Sequence, residues 1–350
     1  MRAAVYLGNG RVEVQSVPTP ALGAGEILIR VESCGICHTD LKKIEYDLLP
    51  APRIFGHETA GVIAAVSDRV TRFSPGDRVI VFHHIPCGDC FYCHRRLYAQ
   101  CPVYKKVGVT AGFEAAGGGF SQYVRVMDWI VERGVERIPA GVSFDQACWV
   151  EPVNTCLKAA ELLHVIPGDV VAVLGQGPIG LIFTMLLSRS GARVLATDTI
   201  EFRRKLSSRF GAEPFDPLEL AFEHSVKAAT QGRGVDAVIL ATSAPGLMEQ
   251  ALRISRPGAK ILLFAQTSSS ERIEFAGADV CVSERMLFGS YSADIDLQSE
   301  SARLVFSREL PLDELISDRL PLEAITEGIA IAQRPKQQSL KVVIHPQERN

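Results

Sequence analysis

The chain has 350 residues, of which 47% are hydrophobic, and a formal net charge of −3 at pH 7. This length predicts two domains, and the apolar content is enough for each to bury a core. The small negative charge does not indicate the positive surface that binds nucleic acid or an anionic membrane. The N-terminus lacks the apolar stretch of a signal peptide. We therefore expect a cytoplasmic protein, in which nine cysteines favour metal binding or catalysis over disulfides.

Short apolar runs separated by turn signals predict a β-rich, barrel-like N-terminal half. The predicted strands are Arg2 to Leu7, Arg11 to Ser16, Glu26 to Val31, Thr59 to Val66 and Arg78 to Val81. The last two are separated by the turn Pro75-Gly76-Asp77.

The stretch from Cys34 to Asp40, Cys-Gly-Ile-Cys-His-Thr-Asp, places a thiol, an imidazole, a hydroxyl and a carboxylate at four consecutive positions. A second imidazole and carboxylate follow at His57 and Glu58. Zinc prefers thiolate and imidazole ligands, and a catalytic zinc takes about three protein ligands and leaves one position open. We therefore predict that Cys37 and His57 bind a catalytic zinc ion.

Four further cysteines follow the spacing of a structural zinc site: Cys87, Cys90, Cys93 and Cys101. Four thiolates complete a tetrahedral shell and leave no open position, which is typical of structural zinc. A zinc ribbon for nucleic acid uses similar spacing, but this chain has no basic face to accompany it.

Near Val153 the pattern changes to strands that alternate with helices, which predicts a parallel sheet covered by helices. The run from Val170 to Leu187 is nearly long enough to span a bilayer, but its glycines, Gln176 and Pro178 favour a strand, a turn and a helix. Further strands are predicted at Arg193 to Asp198, Val235 to Leu240 and Lys260 to Ala265, with helices from Pro178 and Glu201. The tail from Ala293 has two predicted helices and a strand, Lys341 to Ile344, and we expect it to pack on the N-terminal half.

The predicted strand from Val170 to Leu174 leads into Gly175-x-Gly177-x-x-Gly180, the pattern of a dinucleotide-binding turn. Gly175 permits the tight turn, Gly177 lets the backbone approach a pyrophosphate, and Gly180 lets helix and strand pack closely. Asp198 ends the next strand, where a carboxylate accepts hydrogen bonds from the adenosine ribose. A 2′-phosphate would meet that charge, which favours NAD over NADP, although Arg203 and Arg204 lie near enough to soften the preference.

These motifs together resemble the zinc-dependent medium-chain alcohol dehydrogenases, most of all their polyol branch, which includes sorbitol (iditol) and threonine dehydrogenases. The resemblance covers nearly the whole chain. It rests on the Cys34 to Asp40 motif, Gly56-His57-Glu58, Pro75-Gly-Asp-Arg-Val79, the cysteine quartet, Glu151-Pro152, and the glycine turn with Asp198.

The resemblance implies an α/β chain with two domains. Residues 1–153 and 293–350 would form a GroES-like, β-rich catalytic domain that binds zinc. Residues 154–292 would form a Rossmann NAD-binding domain with a doubly wound parallel sheet. Relatives add strands across a dimer near Ile273 to Tyr291, which implies a homodimer or homotetramer.

The resemblance also assigns roles to individual residues. Cys37 and His57 would bind the catalytic zinc, with the third ligand at Glu151 or Glu58. Thr39 would begin the proton relay, and Asp40 would orient His57. The cofactor contacts would include Ile179, Arg203, Ser290, Tyr291 and Ser292.

Two positions depart from the family pattern. Lys42 stands where many relatives have the relay histidine, so the relay ends either at Lys42 or directly in water. Sorbitol dehydrogenases have an arginine near the position of Ser292, and this chain has none there, which counts against sorbitol itself. Tyr46, Phe113 and Trp129 are candidates to line a substrate cleft, whereas His83 and His84 have no partner at ligand spacing.

We predict that the chain is a zinc- and NAD-dependent enzyme that oxidises a secondary alcohol, a polyol or sugar alcohol, to a ketone. It would bind two zinc ions, one catalytic and one structural, and no nucleic acid or membrane. A threonine- or inosose-type dehydrogenase on the same scaffold is a second interpretation. The third is a zinc-ribbon regulator that binds a nucleotide without turnover, and the charge balance counts against it.

Overall fold

The computed structural model describes residues 1–82, 85–103, 118–219, 221–265, 272–334 and 338–348. His83, His84 and Phe113 therefore lie outside the described residues. The chain divides into two compact units, Met1–Asn154 with Ser292–Asn350, and Thr155–Tyr291. Within the described ranges, none of the helices has both the length and the apolar character that crossing a membrane requires.

The N-terminal part of the first unit is mainly β-structure. Its strands are β1 (Arg2–Tyr6), β2 (Val12–Ser16), β3 (Ile27–Gly35), β4 (Arg53–Ile54), β5 (Glu58–Val66), β6 (Arg78–Val81), β7 (Tyr123–Val126) and β8 (Val135–Arg137). Its helices are α1 (His38–Glu45), α2 (Asp128–Gly134), α3 (Phe144–Ala147) and α4 (Val150–Leu163), the last of which continues into the second unit. Short 3₁₀ turns lie at Cys93–Arg95 and Tyr98–Gln100.

The second unit is a six-stranded parallel sheet with helices between its strands. The strands are β9 (Val170–Leu174), β10 (Arg193–Thr197), β11 (Ala212–Phe215), β12 (Val235–Leu240), β13 (Ser255–Leu263) and β14 (Met286–Gly289). The helices are α5 (Pro178–Arg189), α6 (Glu201–Arg209), α7 (Ala221–Ala229), α8 (Leu247–Ile254) and α9 (Gly277–Cys281). The strand order β11-β10-β9-β12-β13-β14 is that of a doubly wound fold, which confirms the predicted fold class.

The C-terminal tail returns to the sheet of the first unit. It contains α10 (Gln298–Phe306), β15 (Ile316–Pro321), α11 (Ile325–Gln333) and β16 (Lys341–His345), with 3₁₀ turns at Ile295–Leu297, Leu312–Leu315 and Leu322–Ala324. The seven-stranded sheet has the order β15-β16-β3-β5-β6-β8, with β7 also paired to β3, and a smaller sheet has the order β2-β1-β4. Only β15 and β16 pair in parallel within the larger sheet.

Two patterns in the sequence explain how these sheets are covered. In β3, the side chains of Ile27, Ile29 and Val31 are buried while Arg30 is exposed, as expected when one face of an antiparallel sheet packs on a core. In β9, all five residues are buried, because helices cover both faces of a parallel sheet. The predicted strand, turn and helix between Val170 and Leu187 are therefore confirmed as β9 and α5.

Candidate functional site

Three ligand side chains of the first unit converge near the amino end of α1. Cys37 is the residue that precedes this helix, while His57 and Glu58 lead into β5. The ligand atoms of the three side chains all lie within 4.8 Å of one another, and His57 and Glu58 are buried. One thiol, one imidazole and one carboxylate at such separations form a donor set that suits zinc.

A neighbouring carboxylate fixes the orientation of the His57 ring. Asp40 lies on the first turn of α1, and its Oδ1 atom is 3.0 Å from Nδ1 of His57, with both side chains buried. Because a carboxylate accepts hydrogen bonds, Nδ1 carries the proton and Nε2 keeps the lone pair that a metal needs.

The charges around His57 favour a positive charge at this place. Burial lowers the pKa of His57, but the Asp40 and Cys37 charges raise it by more, so that its pKa lies well above the ordinary value. Burial raises the pKa of Asp40, and the His57 charge lowers it by more, so that its net direction is downward. A divalent cation supplies such a positive charge among buried anions, so the residues present fit a zinc ion.

The two acidic candidates for the third ligand differ in their surroundings. Glu58 is buried beside Cys37 and His57 and forms an ion pair with the buried Lys341. Glu151 lies in the first turn of α4, is half-buried, and belongs to neither cluster of possible metal ligands among the described residues. The geometry thus favours Glu58 over Glu151 as the third ligand.

Lys341 is a residue of this site that the sequence analysis missed. Burial lowers its pKa, but the Glu58 and Cys37 charges, together with Glu151, raise it by more. Its Nζ atom also lies 5.3 Å from the centre of the Trp149 ring. No sequence pattern indicates this role, because a lysine at the first position of a strand is ordinarily exposed.

The proposed relay residues lie on one face of α1. Thr39 and Lys42 are both partly exposed, and they are three positions apart, so they are neighbours on the helix surface. An exit through Lys42 and an exit directly to water both remain predictions.

The cysteine quartet forms a second cluster in the first unit. The ligand atoms of Cys87, Cys90, Cys93 and Cys101 lie within 4.8 Å of one another. The Sγ atom of Cys93 is 3.9 Å from that of Cys87 and 3.5 Å from that of Cys90, too far for disulfides. A tetrahedral zinc with bonds of about 2.3 Å requires sulfur separations of about 3.8 Å, so the cluster fits a structural zinc ion.

The four thiols also affect one another electrostatically. Burial raises the pKa of the Cys93 thiol to about 12, and hydrogen bonds with the neighbouring cysteines contribute. The backbone N–H of Cys87 also donates to Sγ of Cys101, at 3.4 Å. Since zinc binds thiolate rather than thiol, zinc binding at this cluster would release protons.

In the second unit, the three glycines of the dinucleotide turn meet three different requirements. Gly175 directly follows β9 and has a φ of +98°, a left-handed backbone conformation that favours glycine. A Cβ atom at Gly180 would overlap the carbonyl oxygen of Gly175, so only glycine at this position lets α5 pack this closely on the turn. A Cβ atom at Gly177 would meet only the Arg203 guanidinium, at 3.9 Å, so the space beside it is open for a ligand.

Asp198 connects this turn to the end of β10. Its Oδ2 atom accepts a hydrogen bond from the N–H of Gln176, and its Oδ1 atom accepts one from the N–H of Ile200, both at 2.8 Å. The Nη1 atom of Arg203 lies 3.8 Å from Oδ2 of the same carboxylate. Asp198 and Arg203 thus stand beside the glycine turn, and α5 begins there with free N–H groups, which fits a dinucleotide.

The other predicted cofactor residues lie at the start of α5, after β14, and at the start of the tail. Ile179 is the second residue of α5. Ser290 and Tyr291 follow β14, and the carbonyl of Tyr291 accepts a hydrogen bond from Lys158 at 3.0 Å. Ser292 begins the C-terminal part of the first unit, is buried, and has a φ of +68°.

A cavity of about 120 Å³ lies at the carboxyl ends of β12 and β13, the edge of a doubly wound sheet where ligands bind. The residues that line it include Thr242, Met248, Ala265 and Ile273. The cavity belongs to the same unit as the glycine turn.

Two family models match this chain. The alcohol dehydrogenase GroES-like domain matches residues 23–136, and the zinc-binding dehydrogenase domain matches residues 178–307. The first match contains both clusters of possible metal ligands.

Individual relatives match over nearly the whole chain. A sorbitol dehydrogenase of Bacillus subtilis is 28% identical over 358 residues, which cover 99% of this chain and 97% of the relative. A D-altritol 5-dehydrogenase of Agrobacterium fabrum is 31% identical over 330 residues, which cover 92% of this chain and 93% of the relative. The solved structure of alcohol dehydrogenase TADH from Thermus sp. ATN1 is similar with a TM-score of 0.85 and 27% identity, covering 99% of each chain.

Proposed function

The chain belongs to the zinc-dependent medium-chain alcohol dehydrogenases of the polyol branch, oxidoreductases that act on CH–OH groups, and we propose that it oxidises a polyol or sugar alcohol to a ketone with NAD. The observation that carries the proposal is the convergence of the half-buried Cys37 with the buried His57 and Glu58 in one cluster. A relative named for sorbitol and one named for D-altritol support a substrate that carries several hydroxyl groups.

Cys37, His57 and Glu58 would hold the catalytic zinc. Zinc at such a site acts as a Lewis acid that makes a substrate hydroxyl easier to deprotonate. Asp40 would keep the lone pair of His57 Nε2 available to the metal, because it accepts the Nδ1 hydrogen bond. Thr39 would accept the proton of the substrate hydroxyl and release its own, and the nicotinamide would supply the acceptor for a hydride from the substrate carbon.

The relatives support a nicotinamide cofactor, and we propose that it is NAD. Both oxygens of Asp198 accept hydrogen bonds from backbone N–H groups, so the carboxylate is fixed at the end of β10. A fixed negative charge there repels a 2′-phosphate, and the ribose hydroxyls of NAD can donate to it. Arg203 reduces this repulsion, because its guanidinium lies 3.8 Å from the carboxylate.

We further propose two zinc ions per chain, a homodimer or homotetramer, and a cytoplasmic location. The sulfur separations in the cysteine quartet support a second, structural zinc. None of the nine cysteines, all of them among the described residues, forms a disulfide, which suits a reducing compartment. An exposed apolar group near the edge strand β14 supports self-association; it includes Val282, Met286 and Tyr291.

NADH formation with a panel of polyols, sugar alcohols and simple secondary alcohols tests the function. We expect turnover with polyols, loss of turnover after chelation, and recovery when zinc is added. L-Threonine belongs in the panel because the sequence also resembles threonine dehydrogenases, and preference for it would replace the polyol assignment. NAD binding without NADH formation from any alcohol would favour the non-catalytic regulator.

A further inference from the structure

Three neighbouring strands of the first unit bring Lys341 and Glu58 together. Lys341 begins β16 and Glu58 begins β5, and β3 lies between them. Gly35 of β3 is opposite both Glu58 and Val343. Because residues two apart on a strand share a face, Lys341 lies on the same face as Val343. Strands lie about 4.8 Å apart, so the ion pair spans roughly 10 Å across the central strand.

Glycine at position 35 makes this crossing possible. A Cβ atom there would lie 2.7 Å from Cε of Lys341 and would also overlap the Glu58 carboxylate. Real Cβ atoms do not approach other atoms so closely, so any other residue would force the two side chains apart. The absence of a side chain at Gly35 therefore lets a lysine from the last strand reach the proposed metal site.

Glu58 is the natural partner for Lys341. Both side chains are buried, and Glu58 is the carboxylate within ion-pair distance of the ammonium among the described residues. A buried ammonium without a partner is strongly destabilising, so this contact holds the Glu58 carboxylate on the side of Lys341. The same carboxylate lies within 4.8 Å of the ligand atoms of Cys37 and His57.

Lys341 offsets part of the negative charge of the three anionic side chains at this site. A zinc ion has two positive charges, and the Cys37 thiolate and the Glu58 and Asp40 carboxylates together have three negative ones. The ammonium of Lys341 supplies the remaining positive charge. Two cations, the metal and Lys341, therefore share one carboxylate in a buried site, and each weakens the hold of the other on it.

Resting on the proposed zinc site, we propose that Lys341 is a positioning residue that competes with the metal for the Glu58 carboxylate and so weakens the bond between Glu58 and the metal. Lys341 touches neither the substrate nor the cofactor in this role. It acts through Glu58, which remains one of three protein ligands beside an open fourth position.

Loss of the ammonium distinguishes this role from a structural one. In Lys341→Met, Glu58 has only the metal as partner, so we expect zinc to leave the site about tenfold more slowly. We also expect kcat to fall, since a carboxylate bound more strongly makes the metal a weaker Lewis acid. A residue that only supports the fold would have the opposite effect, because a loosened site loses its metal faster. Lys341→Arg retains a cation and should release zinc at the wild-type rate.

Zinc release to an excess of chelator, followed with a zinc-sensitive dye and without substrate, measures this rate. Each zinc site should release its ion in its own kinetic phase, and the phase that is absent from Cys37→Ser belongs to the catalytic site. Lys205→Met is the matched control, because it removes a lysine from an exposed pair with Glu201, and it should leave the rate unchanged. In a Glu58→Gln background, Lys341→Met should no longer slow release, because the carboxylate for which the two cations compete is gone.

Unchanged or faster release from Lys341→Met would overturn the proposal, as would equal slowing in the Glu58→Gln background. If Lys341→Met does not fold, Lys341→Gln provides the same test with a polar, uncharged head group. If Cys37→Ser retains its full zinc content, the zinc site itself is wrong, and the proposed function fails before Lys341 is tested. If Cys37→Ser loses zinc but Lys341→Met does not slow release, only the role of Lys341 fails.

Discussion

The Nδ1 atom of His57 lies 3.0 Å from Oδ1 of Asp40, and burial excludes water from both groups. This contact selects the tautomer with Nε2 free for the metal. We expect Asp40→Asn to weaken zinc binding at this site by about 10- to 100-fold, because an asparagine can present its amide in either orientation and carries no charge. Zinc affinity from competition with a chelator measures the effect, and unchanged affinity would contradict the assignment of Asp40.

Substitution of Cys37 should abolish turnover, whereas substitution in the cysteine quartet should lower thermal stability. Cys37→Ser should lose about one zinc ion per chain and all turnover but keep its thermal stability, as expected of a catalytic site. Cys90→Ser should also lose zinc, but its midpoint of thermal unfolding should fall, because structural zinc contributes to folding. Metal analysis and thermal denaturation of both variants make the comparison. Equal loss of stability in both would contradict the division into two kinds of site.

Two glycines of the dinucleotide turn form a matched pair. A Cβ at Gly177 meets only Arg203, at 3.9 Å, so Gly177→Ala should leave stability nearly unchanged and raise the Kd of NAD by about tenfold. A Cβ at Gly180 would overlap Gly175, so Gly180→Ala should lower the free energy of unfolding by about 1 to 3 kcal/mol. Denaturant unfolding and NAD titration separate the two. NAD affinity that survives Gly177→Ala would show that pyrophosphate does not approach there.

Asp198 should determine the choice between NAD and NADP. Asp198→Ala should raise the KM of NAD more than that of NADP, because it removes the acceptor for the ribose hydroxyls and the charge that repels a 2′-phosphate. Glu213→Ala is the control, because it removes an exposed carboxylate paired with Arg193 on β10. Steady-state kinetics with both cofactors measure the ratio, and equal changes in the two KM values would contradict the ribose assignment.

His345 should make stability depend on pH. Its Nε2 atom is 2.8 Å from Oδ1 of Asp145, and its Nδ1 atom is 3.0 Å from Oε1 of Glu348. The hydrogen bond to Asp145 raises the pKa of His345 above its ordinary value, although burial opposes this. A raised pKa contributes stability that is fully present below about pH 6.5 and is lost as the pH rises through the folded-state pKa.

The wild-type free energy of unfolding should therefore fall between about pH 6.5 and the raised pKa by more than that of His345→Gln. Denaturant unfolding across this range measures the slope. His164→Gln, which removes an exposed imidazole at the end of α4, should keep the wild-type slope. A wild-type slope in His345→Gln would show that another group is responsible.

Local spacing explains why much of the fold was predictable. Runs such as Val170–Leu174 and Arg78–Val81 were predicted as strands with the bounds that the structure has, because apolar runs between turn residues leave few alternatives. The strands β11 and β14 were not predicted. β11 contains Pro214 and has only four residues, and β14 is an equally short strand whose parallel partner comes from elsewhere in the chain. Strand β3 extends to Gly35, beyond the predicted end at Val31, because its last residues pair with β5 and β16.

The sequence by itself determined the chemistry of this protein. The cysteine quartet, the glycine turn and the Cys37 to Asp40 motif are contiguous or closely spaced, so their residue types alone limit what they can bind. The tertiary structure decided which acid lies beside Cys37 and His57 and which cation opposes it. Glu58 meets Lys341 only because β16, from the end of the chain, pairs with β3 in a register that puts Gly35 between them. Such a register depends on packing among distant segments, and no local pattern encodes it.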